Sequence, residues 1–100
     1  MNTFEALAEP NRRRILDALR AGERPAGELG SALAISQPGV SKHLRLLREA
    51  GLVRSRAEGQ RRLYRLAPEQ LVEVDAWLEP YRRLWASRLD ALARHLEAEQ

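Results

Sequence analysis

One hundred residues, 44% of them hydrophobic and 31% charged, suffice for one domain with a modest core but not for two. Cysteine is absent, which excludes disulfides, thiolate metal ligands and cysteine catalysis. No apolar run approaches the length of a membrane span, and the N-terminus lacks the order of a signal peptide. We therefore expect a single cytoplasmic domain, residues 1–100, that does not bind membranes.

Positive charge is concentrated in the first two-thirds of the chain, although the formal net charge is only +3. Residues 1–66 carry thirteen Arg or Lys against seven Asp or Glu, a balance of +6. Residues 67–100 carry four against seven, a balance of −3. A concentrated basic region is typical of a surface that binds a polyanion, although an ordinary solvated surface gives the same count.

The N-terminal residues predict two helices that meet at a proline. Because proline disfavours helical backbone in the residue before it, the helix that contains Phe4 and Leu7 should end near Glu9. Pro10 suits a first helical turn, so a second helix should run from there to about Ala21. Three arginines at its start, residues 12–14, fit either phosphate contacts or a solvated helix start.

A third helix is predicted over residues 25–34, directly before the most informative stretch of the chain. Gly27 and Gly30 each cost roughly 1 kcal/mol against alanine in a helix. Their presence indicates that another helix packs closely here or that this helix is short. A helix, a tight turn and a second helix form a helix-turn-helix arrangement.

The segment from Ser36 to Gly51 predicts an amphipathic helix with clear limits. Ser36 is a good N-cap, and Gly51 stands where a left-handed residue usually ends a helix. Val40, Leu44 and Leu47 recur at helical spacing and form the apolar face. The opposite face carries amide, hydroxyl and cationic groups, from Gln37, Ser41, Lys42, Arg45 and Arg48. Such a face suits the major groove of DNA.

Two short runs on either side of Gly59 predict a β-hairpin over residues 52–66. Five arginines decorate this hairpin, and Glu58 is its only acidic residue. A basic hairpin directly after a recognition-type helix is a wing, whose tip can reach the DNA backbone or the minor groove beside it.

The C-terminal third predicts a helix over residues 69–98 that Pro80 should kink or break. Its apolar stripe contains Trp77, Tyr81 and Trp85, which is more apolar surface than a small domain hides alone. An interface between two subunits explains this stripe best. A pocket for an inducer between the subunits is the alternative.

Three segments, LAEPNRRRILDAL, ELGSALAISQPGVSKHLRLLREAGLV and EGQRRLYRL, resemble the ArsR/SmtB-type winged helix-turn-helix regulators. The resemblance covers roughly residues 4 to 66. It implies a mainly α fold with a small β-hairpin and a homodimer built on the first and last helices. It also implies a recognition helix that reads a palindromic operator, and in many members release of DNA when a ligand binds.

The resemblance also implies the residues of each surface. DNA contacts are expected from the recognition helix at Ser36, Gln37, Ser41, Lys42, His43 and Arg45. Further DNA contacts are expected from the wing at Arg54, Arg56, Arg61 and Arg62. The apolar stripes of the first and last helices supply the expected dimer interface, which comprises Phe4, Leu7, Trp77, Tyr81, Trp85, Leu89 and Leu92.

Two metal-sensing patterns of such regulators are missing from this sequence. The third helix has no cysteine pair, and His95, the only histidine in the tail, does not pair with Asp75 at the spacing of a ligand pair. We therefore predict no metal site and no cofactor, and the sequence leaves any inducer undefined.

These observations predict a sequence-specific DNA-binding transcriptional regulator, a homodimeric repressor that binds an inverted-repeat operator. The helix at residues 36–50 and the wing at residues 52–66 should contact double-stranded DNA, with Gln37 and Arg45 reading bases and Ser41 and Lys42 contacting phosphates. The alternative is a winged-helix interaction module whose basic face binds an acidic protein. An enzyme is not predicted, because no glycine-rich phosphate loop or Ser–His–acid set is present.

Overall fold

Five α-helices and three short β-strands make up residues 1–99, the part of the chain that the computed structural model describes. The helices are α1 (Thr3–Ala8), α2 (Pro10–Leu19), α3 (Ala26–Leu33), α4 (Gln37–Glu49) and α5 (Leu71–Ala98). The strands are β1 (Arg24–Pro25), β2 (Val53–Glu58) and β3 (Arg61–Leu66), and a 3₁₀ turn (Pro68–Gln70) joins β3 to α5. The predicted fold class is confirmed, while Gln100 lies outside the described residues.

The junction between α1 and α2 lies where Pro10 predicted it. The side chain of Asn2 caps α1, and the helix ends at Ala8, before the extended residue Glu9. Glu9 then caps α2, because its carboxylate accepts a hydrogen bond of 3.0 Å from the backbone N–H of Arg12. The second helix ends at Leu19, two residues earlier than predicted.

The three arginines at the start of α2 bind carbonyl oxygens at the ends of neighbouring helices. Arg12 is buried, and its Nε donates to the carbonyl of Ala6 at 2.7 Å. Arg13 donates to the carbonyl of Leu7 at 2.6 Å, and Arg14 to that of the last residue of α3 at 2.7 Å. These carbonyls have no partner within their own helices. Neither predicted role, phosphate contact or solvated helix start, describes Arg12.

The third helix begins at Ala26 and not at Pro25 as predicted, because a short strand directly precedes it. Arg24 and Pro25 form β1, which pairs antiparallel with Tyr64 and Leu63 of β3. Pro25 is also the extended N-cap residue of α3, which begins at Ala26. The partners of β1 lie about forty residues further along the chain, so local sequence gave no sign of the pairing.

The predicted β-hairpin is present and belongs to a three-stranded antiparallel sheet of order β1-β3-β2. Val53 pairs with Leu66 at its base, and Glu58 pairs with Arg61 beside the turn. Gly59 occupies the turn with φ +60°, a left-handed conformation that costs glycine nothing. The position of this turn sets which arginines of the two strands face each other.

The core anchors α4 by its apolar face. Val40, Leu44 and Leu47 are fully buried, together with Ile15 from α2 and Leu29 from α3. Burying each such side chain is worth roughly 1.5–3 kcal/mol, so this face determines how the helix rotates about its axis. The polar side of α4 consequently faces away from the core.

The last helix is unbroken from Leu71 to Ala98, so Pro80 does not break it, and the alternative of a kink at Pro80 stays a prediction. Proline cannot donate to the carbonyl of Ala76, but both residues are exposed and water can replace that donor. At 1.5 Å per residue the helix is roughly 42 Å long, and none of its residues is buried. It accounts for the elongated shape of the chain, 64 × 25 × 20 Å. None of the helices within residues 1–99 has the length and apolarity needed to cross a membrane.

Candidate nucleic-acid interface

Local signals hold both ends of α4, as the sequence predicted. The Ser36 hydroxyl accepts a hydrogen bond of 3.2 Å from the backbone N–H of Gly39. At the other end Gly51 adopts φ +79°, and its N–H donates to the carbonyl of Arg48 at 3.0 Å. With both ends fixed, the helix offers its outer face as a rigid surface.

The middle of the outer face carries exposed polar and basic groups. Ser41, Lys42 and Arg45 are exposed and, with Pro38, line a shallow depression of about 390 Å³. Within residues 1–99 the side chains of these three residues make no hydrogen bond or ion pair. Their donors are therefore available to an external acceptor.

Gln37 is exposed, but its side chain folds back along α3. Its Nε2 donates to the carbonyl of Gly27 at 3.4 Å and lies over Gly30. A Cβ at Gly30 would stand 2.1 Å from that nitrogen, so the predicted close approach is present at this glycine. At Gly27 a Cβ would meet nothing within 4 Å. Gln37 must swing outward before it can reach a base.

His43 lies on the side of α4 that faces α2, away from the outer face. Its side chain is only 15% exposed, and its Nε2 is 3.7 Å from a carboxylate oxygen of Glu9. Its Nδ1 is buried and has no hydrogen-bond partner among residues 1–99. The structure therefore does not bring His43 together with the other predicted DNA contacts.

Three of the predicted wing arginines keep their guanidinium groups on the surface. Arg61 pairs with Glu58 at 3.1 Å beside the turn, and Arg62 donates to the hydroxyl of Ser55 at 3.1 Å. Arg54 is 3.9 Å from a carboxylate oxygen of Glu69. Exposed pairs of this kind are weak, so the three side chains can exchange these partners for phosphates.

Arg56, the fourth predicted wing contact, is tied to the turn before β1. Its Nη2 and Nε donate to the two carboxylate oxygens of Glu23 at 2.7 and 3.0 Å, and Glu58 adds a contact of 3.1 Å. The hydrogen bond from Arg56 lowers the pKa of Glu23, and the same bond raises the pKa of Arg56. This bidentate pair joins the wing to the segment that precedes α3.

Two basic residues that were not predicted as contacts lie beside this surface. Arg48 is seven residues after Ser41, so it continues the outer face of α4, and this spacing was visible in the sequence. Arg65 stands directly opposite Arg54 across the hairpin. With Ser55 these arginines line a surface depression of about 460 Å³ at the base of the wing.

The predicted dimer face is almost entirely exposed on the single chain. Its exposed members are Phe4, Trp77, Tyr81, Trp85, Leu89 and Leu92, and Leu84 and Leu96 extend the stripe along α5. The Phe4 and Trp77 rings meet edge to face at 5.8 Å, which joins α1 to α5. Leu7 differs, because it is half-buried and packs against the core of its own chain.

A helix-turn-helix whose second helix points a polar, basic face outward, followed by a β-hairpin, defines the winged helix-turn-helix class of DNA-binding proteins. Residues 7–56 match the family described as "Helix-turn-helix domain". The chain belongs to the ArsR-type family of winged helix-turn-helix transcriptional regulators, as the sequence resemblance predicted.

Known relatives support this assignment along most of the chain. The HTH-type transcriptional regulator Rv2034 of Mycobacterium tuberculosis is 38% identical over 96% of this chain and 87% of its own length. The transcriptional repressor SdpR of Bacillus subtilis is 35% identical over 77% of this chain and 86% of its own. The homodimeric winged helix-turn-helix DNA-binding domain of Mb0332 from Mycobacterium bovis superposes with a TM-score of 0.65 at 32% identity, covering 84% of this chain and 78% of that one.

Proposed function

We propose that two copies of this chain form a repressor that binds an inverted-repeat operator, with α4 in the major groove and the wing at the adjacent backbone or minor groove. The observation that carries the proposal is the outer face of α4, whose Ser41, Lys42 and Arg45 make no hydrogen bond or ion pair within residues 1–99. Exposed side-chain donors without an internal partner, next to a basic hairpin, match the phosphate and base acceptors of duplex DNA.

The outer face divides into groups that would position the protein and groups that would read sequence. Lys42 and Ser41 suit phosphate oxygens, which fix register without specifying a base. Arg45 suits the two acceptors of a guanine edge, and Gln37 suits adenine once its side chain leaves α3. The wing contacts assigned to this proposal are those of Arg54, Arg61 and Arg62.

The apolar stripe of α5 supports the dimer. Trp85 is 51% exposed, Leu89 65% and Leu92 53%, on a helix with no residue buried within the chain. A contiguous apolar stripe that a single chain leaves in water marks an interaction surface. The relative Mb0332 is a homodimer, so a second copy of this chain is the proposed partner.

Repression is the proposed direction of control, because SdpR carries that description and a bound dimer can block access to a promoter. The proposal assigns the chain no catalytic step. It places the protein in the compartment that holds the DNA, which is the cytoplasm of a bacterium.

Selection of bound fragments from genomic and random DNA tests the proposal directly. The expected result is an enriched inverted repeat whose half-site centres are about 10–10.5 base pairs, roughly 34 Å, apart or a multiple of that spacing. Light scattering at micromolar concentration should give a mass near twice that of the monomer. Binding without any enriched sequence would overturn sequence-specific reading, and a strictly monomeric protein would overturn the dimer.

A reporter gene placed behind the selected operator tests the direction of control. Expression of the protein should lower the reporter signal, and Lys42→Ala should restore part of it, because a phosphate contact is lost. A signal that rises on expression of the protein would replace repression by activation and leave the DNA-binding proposal standing.

A further inference from the structure

We propose that Arg48, Arg54 and Arg65 form one phosphate site at the base of the wing, and that a backbone phosphate of the DNA occupies it. This inference rests on the proposed function and deepens it, because Arg48 and Arg65 are not among the contacts assigned above. The site is the depression of about 460 Å³ between the end of α4, the base of β2 and the turn before α5.

Arg48 connects this depression to the recognition surface. It follows Arg45 by three residues and Ser41 by seven, so the three side chains share one face of α4. Arg48 is exposed and sits in the last turn of the helix, where a cation is favoured by the helix dipole. The recognition surface therefore continues without interruption into the depression.

The two strands bring like charges together on the far side of the depression. Arg54 of β2 and Arg65 of β3 are directly opposite partners in the hairpin. Like charges at opposite positions destabilise a strand pair. Both side chains are exposed and share this depression with Arg48. An anion bound between them would remove the repulsion.

Few internal acids can neutralise this cluster. Glu69 lines the depression with the arginines, and its carboxylate is 3.9 Å from Arg54, in a pair whose two side chains are more than half exposed. Glu23 is hydrogen-bonded to Arg56, and it acts on Arg65 only through space. Within residues 1–99 no hydrogen bond or ion pair engages the guanidinium of Arg48 or that of Arg65.

The site also lies where the proposed complex needs one. If α4 fills a major groove and the wing reaches the adjacent minor groove, the strand that separates the two grooves passes between helix and wing. The base of the wing is the part of the chain in that position. Guanidinium groups bind phosphate oxygens through paired N–H donors.

The salt dependence of DNA binding tests whether the arginines share one phosphate. Arg48→Gln, Arg65→Gln and a triple variant that adds Arg54→Gln are compared with wild type on operator and random duplexes. Because one phosphate contributes about 0.9 to the slope of log K against log salt, the triple variant should flatten the slope by about one unit on both duplexes, and each single variant should flatten it by less. Arg94→Gln is the matched control, because Arg94 is exposed on α5, two residues from both Leu92 and Leu96 and so off the apolar stripe.

Each other outcome has a defined meaning. A loss of two or three units for the triple variant would show separate phosphates and overturn the shared site, and an unchanged slope in the triple variant would remove the site from the interface. Thermal unfolding without DNA verifies that each variant folds. Failure of wild type to bind any duplex would instead overturn the proposed function, and this inference with it.

A free phosphate group is the competing source of the same chemistry. The side-chain N–H signals of the three arginines are followed by NMR during titration with operator DNA and, separately, with inorganic phosphate at constant ionic strength. Operator DNA should shift all three signals at stoichiometric ratios, while inorganic phosphate should act only at far higher concentration. Saturation by micromolar inorganic phosphate with no response to DNA would overturn the backbone assignment.

Discussion

Arg45 and Gln37 lie on the same helix, but only Arg45 is free to meet a base edge in the unbound protein. Arg45 is exposed and has no hydrogen bond or ion pair within residues 1–99. The side-chain amide of Gln37 donates to the carbonyl of Gly27 and lies over Gly30, which has no Cβ to obstruct it. Reading by Gln37 consequently carries the cost of a rearrangement, and reading by Arg45 does not.

Arg45→Ala should weaken operator binding and relax discrimination at one base pair by roughly 1–3 kcal/mol, because a bidentate pair with guanine is lost. Affinities for the operator and for single-substituted operators, measured at one salt concentration, test this. Lys42→Ala is the matched control and should weaken all duplexes alike. Equal losses on operator and random DNA for Arg45→Ala would end its assignment as a base reader.

Gly30→Ala should release Gln37 from α3, because the added Cβ would stand 2.1 Å from the amide nitrogen at the flexible end of that side chain. The same Cβ would stand 3.1 Å from the backbone carbonyl oxygen of Ile35, which must shift slightly to accept it. The side-chain amide signal of Gln37 should shift in the free protein, and operator affinity should rise modestly because less rearrangement is left for binding. The same change in a Gln37→Ala background should leave affinity unaltered. A rise that persists there would show that Gly30 acts through something other than Gln37.

At the scale of elements, the wing is fixed at two places. Its turn is set by Gly59 and its register by the pairing of β2 with β3. The pairing of β1 with β3 joins the wing to the segment before α3, and the bidentate pair between Arg56 and Glu23 adds a second link, across thirty-three positions of sequence. Arg56 therefore has two candidate roles, a phosphate contact and an anchor of the wing, and these predict opposite effects for a change of Glu23.

Glu23→Gln should weaken DNA binding if Arg56 acts as the anchor, although the change removes a negative charge from a protein that binds a polyanion. Stronger binding on every duplex would instead make Arg56 a direct phosphate contact that Glu23 restrains. Arg56→Gln and the double variant complete a cycle that measures the coupling. Far-UV circular dichroism and Tm show whether each variant still folds.

The same pair makes wing order depend on pH in the acid range. Because Arg56 lowers the pKa of Glu23 in the folded state, the stabilisation is complete above the ordinary pKa of a glutamate. It is lost as pH falls through the lowered pKa. The protection factors of the β2 amides, which correct for the intrinsic pH dependence of exchange, should therefore fall in acid for wild type, and Glu23→Gln should show no such additional step.

At the scale of the whole molecule, the chain consists of a compact body and one long helix, α5, whose apolar side the body leaves exposed. The stripe of Trp77, Tyr81, Trp85, Leu89 and Leu92 lies in solvent on the single chain. A second copy could bury this stripe and at the same time set the distance between two recognition helices. The geometry of operator reading would then depend on α5, although α5 itself need not touch a base.

Trp85→Glu should convert the dimer to a monomer, because a charge at the centre of the stripe would be buried without a partner. Light scattering should then give the mass of one chain, and operator affinity should fall more steeply than affinity for a single half-site. Val72→Glu is the control, since Val72 is exposed at 68% but lies off the stripe. A Trp85→Glu protein that remains dimeric would place the interface elsewhere.

Sequence by itself determined the features whose causes are close together along the chain. The caps at Ser36 and Gly51, the buried spacing of Val40, Leu44 and Leu47 and the turn at Gly59 act within one helix or one hairpin. Short-range signals of this kind fix where an element begins, where it ends and which face it buries. The exposed basic face of α4 followed from them directly.

Tertiary structure alone decided which polar groups meet across distant parts of the chain. It paired β1 with β3, turned Arg12 toward the end of α1, engaged Arg56 with Glu23 and pointed His43 toward Glu9. It also placed Arg48 beside Arg54 and Arg65, which the hairpin turn already sets opposite each other. A long polar side chain can bind whatever the packing brings within reach, so its partner depends on the arrangement of elements and not on its neighbours in sequence.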